Sequence, residues 1–283
     1  MRKKGKACRL IAFDLDGTLL DDKKQLAEET LAALRAAGEA GIWLAPATGR
    51  IPAGLPEPLR SLPGLRWGIL VNGALLYDFQ RDETLDRAEI PAELAVRVIY
   101  QLDTLGVLYD CYQDNWGYID RALYERAADY IDDPGILDLL VRLRTPVDSL
   151  RQRLLERAEP VQKLQLHTKD QALRLRLLEE LAREWPELSV TSSVPTNIEL
   201  NIASANKGDA LLRLCRHLEI APGETVAFGD GTNDVSLLRA AGLGVAVANA
   251  APEVRAAADL VTASNEDCGV AKVIRQILNG ESP

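Results

Sequence analysis

Residues 10–18 read Leu10-Ile11-Ala12-Phe13-Asp14-Leu15-Asp16-Gly17-Thr18. The apolar run Cys8–Phe13 is short, as expected for a parallel strand covered on both faces. Two carboxylates and a glycine stand where it ends. In extended backbone, residues two apart face the same side, so Asp14 and Asp16 are expected to aim at one site. Like charges that close raise each other's pKa unless a cation joins them. Gly17 permits the tight, positive-φ turn needed directly after the strand. An acidic turn that merely ends a strand fits these residues about as well. The loop is not an EF-hand, because its glycine arrives too early and the downstream ligand spacing is absent.

Outward from this stretch, strands and helices alternate. Ala27–Ala40 has apolar residues at helical spacing and stops at Gly41. Ile42–Ala47 reads as the next strand and Trp67–Val71 as a third, with a Pro/Gly-punctuated helix around Ala53–Leu62 between them. Pro46 cannot donate to a sheet ladder and is expected at the very end of its strand. The last third repeats the pattern: helix Lys207–Leu218, strand Thr225–Phe228, helix Asp234–Ala241, strand Leu243–Val247, helix Cys268–Leu278. Such alternation implies an α/β fold, a doubly wound parallel sheet with right-handed crossovers. Its ligand site is expected just outside the carboxyl ends of the strands.

The middle, 84–194, has a different texture. Val107–Gln113 and Trp116–Asp120 read as a hairpin turning at Asp114-Asn115, and Pro91–Leu105 and Asp170–Trp185 as amphipathic helices. An inserted α+β domain over 84–194 is therefore expected, within a core formed by 1–83 and 195–283. Tyr109, Tyr112, Trp116 and Tyr118 on the hairpin are candidates for a lid over a ligand, although sheet packing explains them more simply.

With 33 Lys+Arg against 42 Asp+Glu the net charge is −9, and the pI is about 5.0. An acidic surface disfavours nucleic acid and anionic membrane as partners. The basic start Arg2-Lys3-Lys4-Gly5-Lys6 reads as a solvated tail, and the apolar run after it is cut too soon by Asp14 and Asp16 for a signal peptide. No apolar run approaches the roughly 18 residues of a membrane helix. Cys8, Cys111, Cys215 and Cys268 form no C-x-x-C pair, which suits free thiols in a reducing cytoplasm.

Three further stretches carry candidate chemistry. Gly229-Asp230-Gly231-Thr232-Asn233-Asp234 brings two more carboxylates to a predicted strand end. Carboxylates converging there need a hard divalent cation, and oxygen-only ligands favour Mg²⁺. The Gly229-x-Gly231 pair is only half of a dinucleotide fingerprint, with Asp234 where its third glycine belongs. Thr48-Gly49-Arg50 offers a hydroxyl and backbone N–H groups to a phosphoryl oxygen, although a helix N-cap needs the same threonine. Lys207, a cation at a helix start, is placed against the helix dipole. His167 and His217 lack telling partners and read as structural, which counts against a histidine triad and a zinc hydrolase.

In this order, Asp14-Leu15-Asp16-Gly17-Thr18, Ala47-Thr48-Gly49-Arg50, Lys207-Gly208 and Gly229-Asp230-Gly231-Thr232-Asn233-Asp234 resemble the haloacid dehalogenase superfamily. Asn72-Gly73-Ala74, the insertion, and the ending Val245–Ala250 through Glu266-Asp267 and Gly269-Val270-Ala271 are similar to its Cof-type phosphatases with a subclass IIB α+β cap. Val247-Ala248 stands where Met-Gly is common, and Cys268 is inserted before Gly269. The resemblance implies a phosphatase acting on a small phosphorylated metabolite, with Asp14 as nucleophile and Asp16 as general acid and base. It implies Mg²⁺ held by Asp14, the Asp16 backbone carbonyl, Asp230 and Asp234. Thr48 and Lys207 would hold the transferring oxygens, with Gly49, Arg50, Asn72 and Asn233 as further phosphate or substrate contacts. A phosphosugar mutase or a non-catalytic regulatory protein on the same fold are the alternatives.

Overall fold

The computed structural model describes residues 7–194 and 196–281. The basic stretch Arg2–Lys6 lies outside the described residues. The chain divides into two compact units, one holding residues up to Gly49, Leu55–Asp86 and Asn206 onward, the other Arg50–Gly54 and Arg87–Ala205.

The first unit is built on a parallel sheet whose strands run, edge to edge, Leu260–Val261, Leu243–Ala246, Thr225–Gly229, Leu10–Phe13 and Trp43–Pro46. Counted in chain order within this sheet, that is 2-1-3-4-5, a doubly wound arrangement. Leu10, Ile11, Ala12 and Phe13 are all fully buried, because the central strand is covered on both faces. Helices Glu28–Glu39, Lys207–His217, Val235–Ala240 and Gly269–Leu278 supply the covering. The strand order reverses between Leu10–Phe13 and Thr225–Gly229, where the crossovers depart in opposite directions and a crevice opens at the carboxyl ends. Asp14 and Asp230 are the first residues beyond those two strands.

The expected third strand behaves differently. Trp67–Leu70 pairs antiparallel with Leu75–Asp78, and among the described residues this stretch and Leu65 before it meet the parallel sheet through single bridges, Leu44 with Leu65 and Ala47 with Ile69. Trp43 and Ala47 donate to Arg9 and Phe13 on one side, whereas Leu44 and Thr48 donate to Gly64 and Ile69 on the other. Pro46 falls between Leu44 and Thr48 on that second side, so its missing N–H removes the donor that would have made the ladder continuous. The helix expected near 53–62 shrinks to a 3₁₀ turn, Pro52–Gly54, and one α turn, Glu57–Arg60. Its density of proline and glycine explains this.

The second unit carries a six-stranded sheet in the order Leu188–Thr191, Asn197–Ile202, Lys163–His167, Leu108–Gln113, Trp116–Asp120, Arg144–Val147. Neighbours are antiparallel except the last pair. Asn197–Ile202 hydrogen bonds within this sheet, beyond the limit at 194 drawn from sequence texture. Helices Ala92–Leu102, Leu150–Arg157 and Gln171–Glu184 bury Val98, Leu154 and Leu177 against Cys111, Leu164 and Leu200. The hairpin turns where expected, with Asp114 (φ 52) and Asn115 (φ 61) both left-handed, the geometry a two-residue type I′ turn needs. Tyr109 and Tyr112 are buried within this unit, Tyr112 accepting a 2.7 Å hydrogen bond from Arg144. Trp116 donates to Thr145, and Arg153 stacks on Tyr118. Tyr109 and Tyr112 thus pack inside the sheet's unit, whereas Trp116 and Tyr118 stay half-buried. His167 is buried and His217 sits edge-on against Trp67.

Candidate active site

The end of strand Leu10–Phe13 continues into Asp14, whose amide donates to the Phe228 carbonyl at 3.0 Å. This bond ties Asp14 to the neighbouring strand. Gly17 then turns the chain at φ +83. A Cβ on Gly17 would lie 2.5 Å from Asp230 Oδ2, so the residue is needed both for its dihedral and for the close approach of Asp230. Thr18 donates its hydroxyl to Asp230 Oδ1 at 2.5 Å.

Asp14, Asp230 and Asp234 each offer an oxygen within 4.8 Å of the others. Lys207, fully buried at the first position of its helix, donates to Asp14 Oδ1 at 2.8 Å and to Asp234 Oδ1 at 2.6 Å. Asp234 Oδ2 accepts from the amides of Asp230 and Gly231, both at 3.0 Å. It therefore braces the loop that carries Asp230. Gly208 lets the Lys207 helix approach, since a Cβ there would lie 2.3 Å from the Ser236 carbonyl oxygen. The Asn206 side chain caps the helix by accepting from the Asp209 amide.

The electrostatics follow from burial. Burial raises the Asp14 carboxyl well above its ordinary value; Lys207 opposes this, and Asp234 and Asp230 add to it. Burial likewise lifts Asp230 to about 7, helped by Asp234 and opposed by the Thr18 hydrogen bond. Burial alone would lower Lys207, but Asp14 and Asp234 outweigh it and hold the ammonium charged. Three carboxylates against one ammonium leave surplus negative charge in a shielded place. An oxygen-only donor set of that kind fits a hard divalent cation.

The Asp16 carboxylate lies outside the close three-acid group yet adds to the charge that raises Asp230, and Lys24 Nζ stands 3.2 Å from its Oδ1. Thr48 and Asn72 do meet: the Asn72 amide donates to the Thr48 carbonyl at 3.0 Å. The Asn72 side-chain oxygen accepts from Asn233 at 3.2 Å, joining a third expected residue to them. Gly49 directly follows Thr48. Arg50 belongs to the second unit, where its guanidinium donates to the Gly54 carbonyl. Sequence reading assigned no role to Thr18, Asn249 or Lys24. Asn249 donates to the Gly17 carbonyl at 2.7 Å. Thr18 and Asn249 both lie in quoted motifs, so the signal was present; nothing in the spacing pointed to Lys24.

The haloacid dehalogenase-like hydrolase family model matches residues 11–274. Phosphatase YwpJ of Bacillus subtilis is 31% identical over 95% of this chain and 100% of its own length. The 5-amino-6-(5-phospho-D-ribitylamino)uracil phosphatase YcsE of the same organism is 30% identical over 94% of each chain. A solved haloacid dehalogenase-like hydrolase from B. subtilis superposes with TM-score 0.79 at 30% identity, covering 94% of this chain and 99% of the other. The chain belongs to the haloacid dehalogenase-like hydrolases.

Removing the ammonium while leaving its buried partners should be costly. Lys207→Met is expected to destabilise the protein by about 3–5 kcal/mol, measured by urea unfolding in EDTA; a loss well under 1 kcal/mol would contradict the burial argument. The raised carboxyls also fix a pH dependence. A carboxyl whose native pKa exceeds its unfolded value binds more protons when folded, so its contribution to stability is present at low pH and is lost as pH rises. For Asp230 that window runs from the ordinary 3.8 to about 7. A divalent cation held by these acids would relieve the repulsion, so the rise in Tm that Mg²⁺ gives over EDTA is expected to grow across this window and level off above it. A rise independent of pH would exclude these carboxylates as the binding group.

Proposed function

We propose that the chain is a phosphatase that hydrolyses small phosphate monoesters, such as sugar phosphates, through an aspartyl-phosphate on Asp14. The observation that carries this reading is the buried Asp14 carboxylate, fixed by the Lys207 ammonium at 2.8 Å beside Asp230 and Asp234. The two relatives above are both named phosphatases, and one acts on a small phosphorylated metabolite, which supports the substrate class.

In the first step an Asp14 oxygen attacks phosphorus, the P–O ester bond breaks, and Asp16 gives its proton to the departing oxygen. In the second, Asp16, now a carboxylate, takes a proton from water as that water attacks phosphorus. The Asp14–phosphorus bond breaks, inorganic phosphate leaves, and both side chains return to their starting states. Lys207 offsets charge on the transferring oxygens and keeps Asp14 oriented. Thr48, with the Gly49 amide, Asn72 and Asn233, would hold the phosphoryl group, and Arg50 would touch substrate. Mg²⁺ would be held by Asp14, the Asp16 carbonyl, Asp230 and Asp234, the last directly or through water, and when bound it would neutralise phosphoryl charge. Chemistry is assigned to the first unit, and choice of substrate to the second, whose main segment is Arg87–Ala205. No helix of the described residues is long and apolar enough to cross a membrane. The four free cysteines suit a cytoplasmic setting.

Phosphate release from a panel of small phosphate esters tests the reading, with Mg²⁺ or EDTA and with Asp14→Asn beside the wild type. Metal-dependent release that falls on the order of 10³-fold or more in Asp14→Asn is expected. Equal activity in the variant would remove Asp14 from the chemistry.

A further inference from the structure

Four carboxylates leave the carboxyl edge of the parallel sheet, and two lysines meet them. Lys207 takes Asp14 and Asp234. Lys24 takes Asp16, at 3.2 Å. The segment between Asp16 and Lys24 is not a free loop. Leu19 and Leu20 both donate to the Leu15 carbonyl, and Asp16 bridges to Leu20. Asp21 closes the next turn, accepting from the Lys24 amide through its carbonyl and from the Gln25 amide through its side chain. Lys24 itself sits at φ +61, a conformation that a lysine adopts at a cost and keeps only where its surroundings impose it.

The C-terminal part of the same unit supplies that imposition. Asn249 donates to the Gly17 carbonyl at 2.7 Å and Asn265 to the Leu20 carbonyl at 3.0 Å. Glu266 accepts from the Asp22 amide at 2.8 Å, and the Asn249 side chain accepts from the Asn265 amide at 3.1 Å. These bonds clamp the segment at Gly17, Leu20 and Asp22, so the backbone that carries Lys24 returns its side chain to Asp16. A partly exposed ion pair of this kind adds little stability, which makes a bracing role for stability alone a poor account of so many bonds.

We infer that Lys24 is a positioning residue for Asp16, held in place by Asn249, Asn265 and Glu266. Its ammonium fixes the Asp16 carboxylate from 3.2 Å, beside but outside the close group that Asp14, Asp230 and Asp234 form. The inference rests on Asp16 as the acid that protonates the leaving oxygen. A misplaced acid penalises a leaving group that needs a proton and spares one that departs readily as an anion.

The test compares kcat/KM, which reports on ester cleavage, for glycerol phosphate and for p-nitrophenyl phosphate. Lys24→Met is expected to lower the alkyl value by about 10- to 100-fold and the nitrophenyl value by less than about 3-fold. Lys24→Arg should restore most of the alkyl activity, and Asp16→Asn should show the same selective loss, larger. Equal losses on both esters in Lys24→Met, or no loss on either, while Asp16→Asn remains selective, would overturn the role of Lys24 alone. If Asp16→Asn shows no dependence on leaving group, the acid assignment falls and the Lys24 inference falls with it.

Discussion

A fully buried ammonium held between two carboxylates is the interaction on which the rest of this site depends. Lys207 has no solvent to turn to, so it persists only because Asp14 and Asp234 compensate its lost hydration. Each partner in turn secures a different segment. Asp14 belongs to the central strand's end through its amide bond to Phe228, and Asp234 gathers the amides of Asp230 and Gly231. One lysine thus fixes the mutual placement of the motifs at Asp14 and at Asp234, more than two hundred residues apart in sequence. The same arrangement leaves the surplus negative charge that suits a cation.

The close spacing has a steric side as well. Gly17 and Gly229 stand where a Cβ would press into Asp230 or Asp234, and Gly208 where one would press into the backbone at Ser236. Small residues at these points let strands, helix and loops converge, and the charged groups then hold what the glycines allow. Pro46 works in the opposite sense, by withholding a donor. The broken ladder beyond it leaves Thr48 to bond Ile69 and to receive Asn72, so a defect in pairing sits beside residues expected to bind phosphate.

The second unit uses charge for another purpose. Arg144 lies 3.0 Å from Asp110 and Lys163 is 2.7 Å from Glu199, all four buried on the sheet. Tyr112 is flanked by both cations, with Arg144 at 4.3 Å and Lys163 at 4.4 Å from its ring centre. Burial holds His167 neutral by pushing it down to about 3. Because these partners come from separate strands, a shift of register would part them.

Much of this was legible in the chain. The apolar runs ending in Asp14 and Gly229, the helical spacings and the turn residues Gly17 and Asp114-Asn115 are local signals, because backbone sterics and burial act over a few residues. They fixed the doubly wound class and the carboxylates at its edge, and family motifs added Thr48, Asn72, Lys207 and Asn233. What the chain alone did not carry were relations between distant segments. The side on which Pro46 lacks its donor, the membership of Asn197–Ile202 in the second sheet, and the partner of Asp16 depend on which backbone edges and charges meet in space. Periodicity placed Asp14 and Asp16 on one face; only the tertiary structure brought Lys24, eight residues on and returned by a clamped turn, to the Asp16 carboxylate, because that contact depends on bonds from the distant residues Asn249, Asn265 and Glu266.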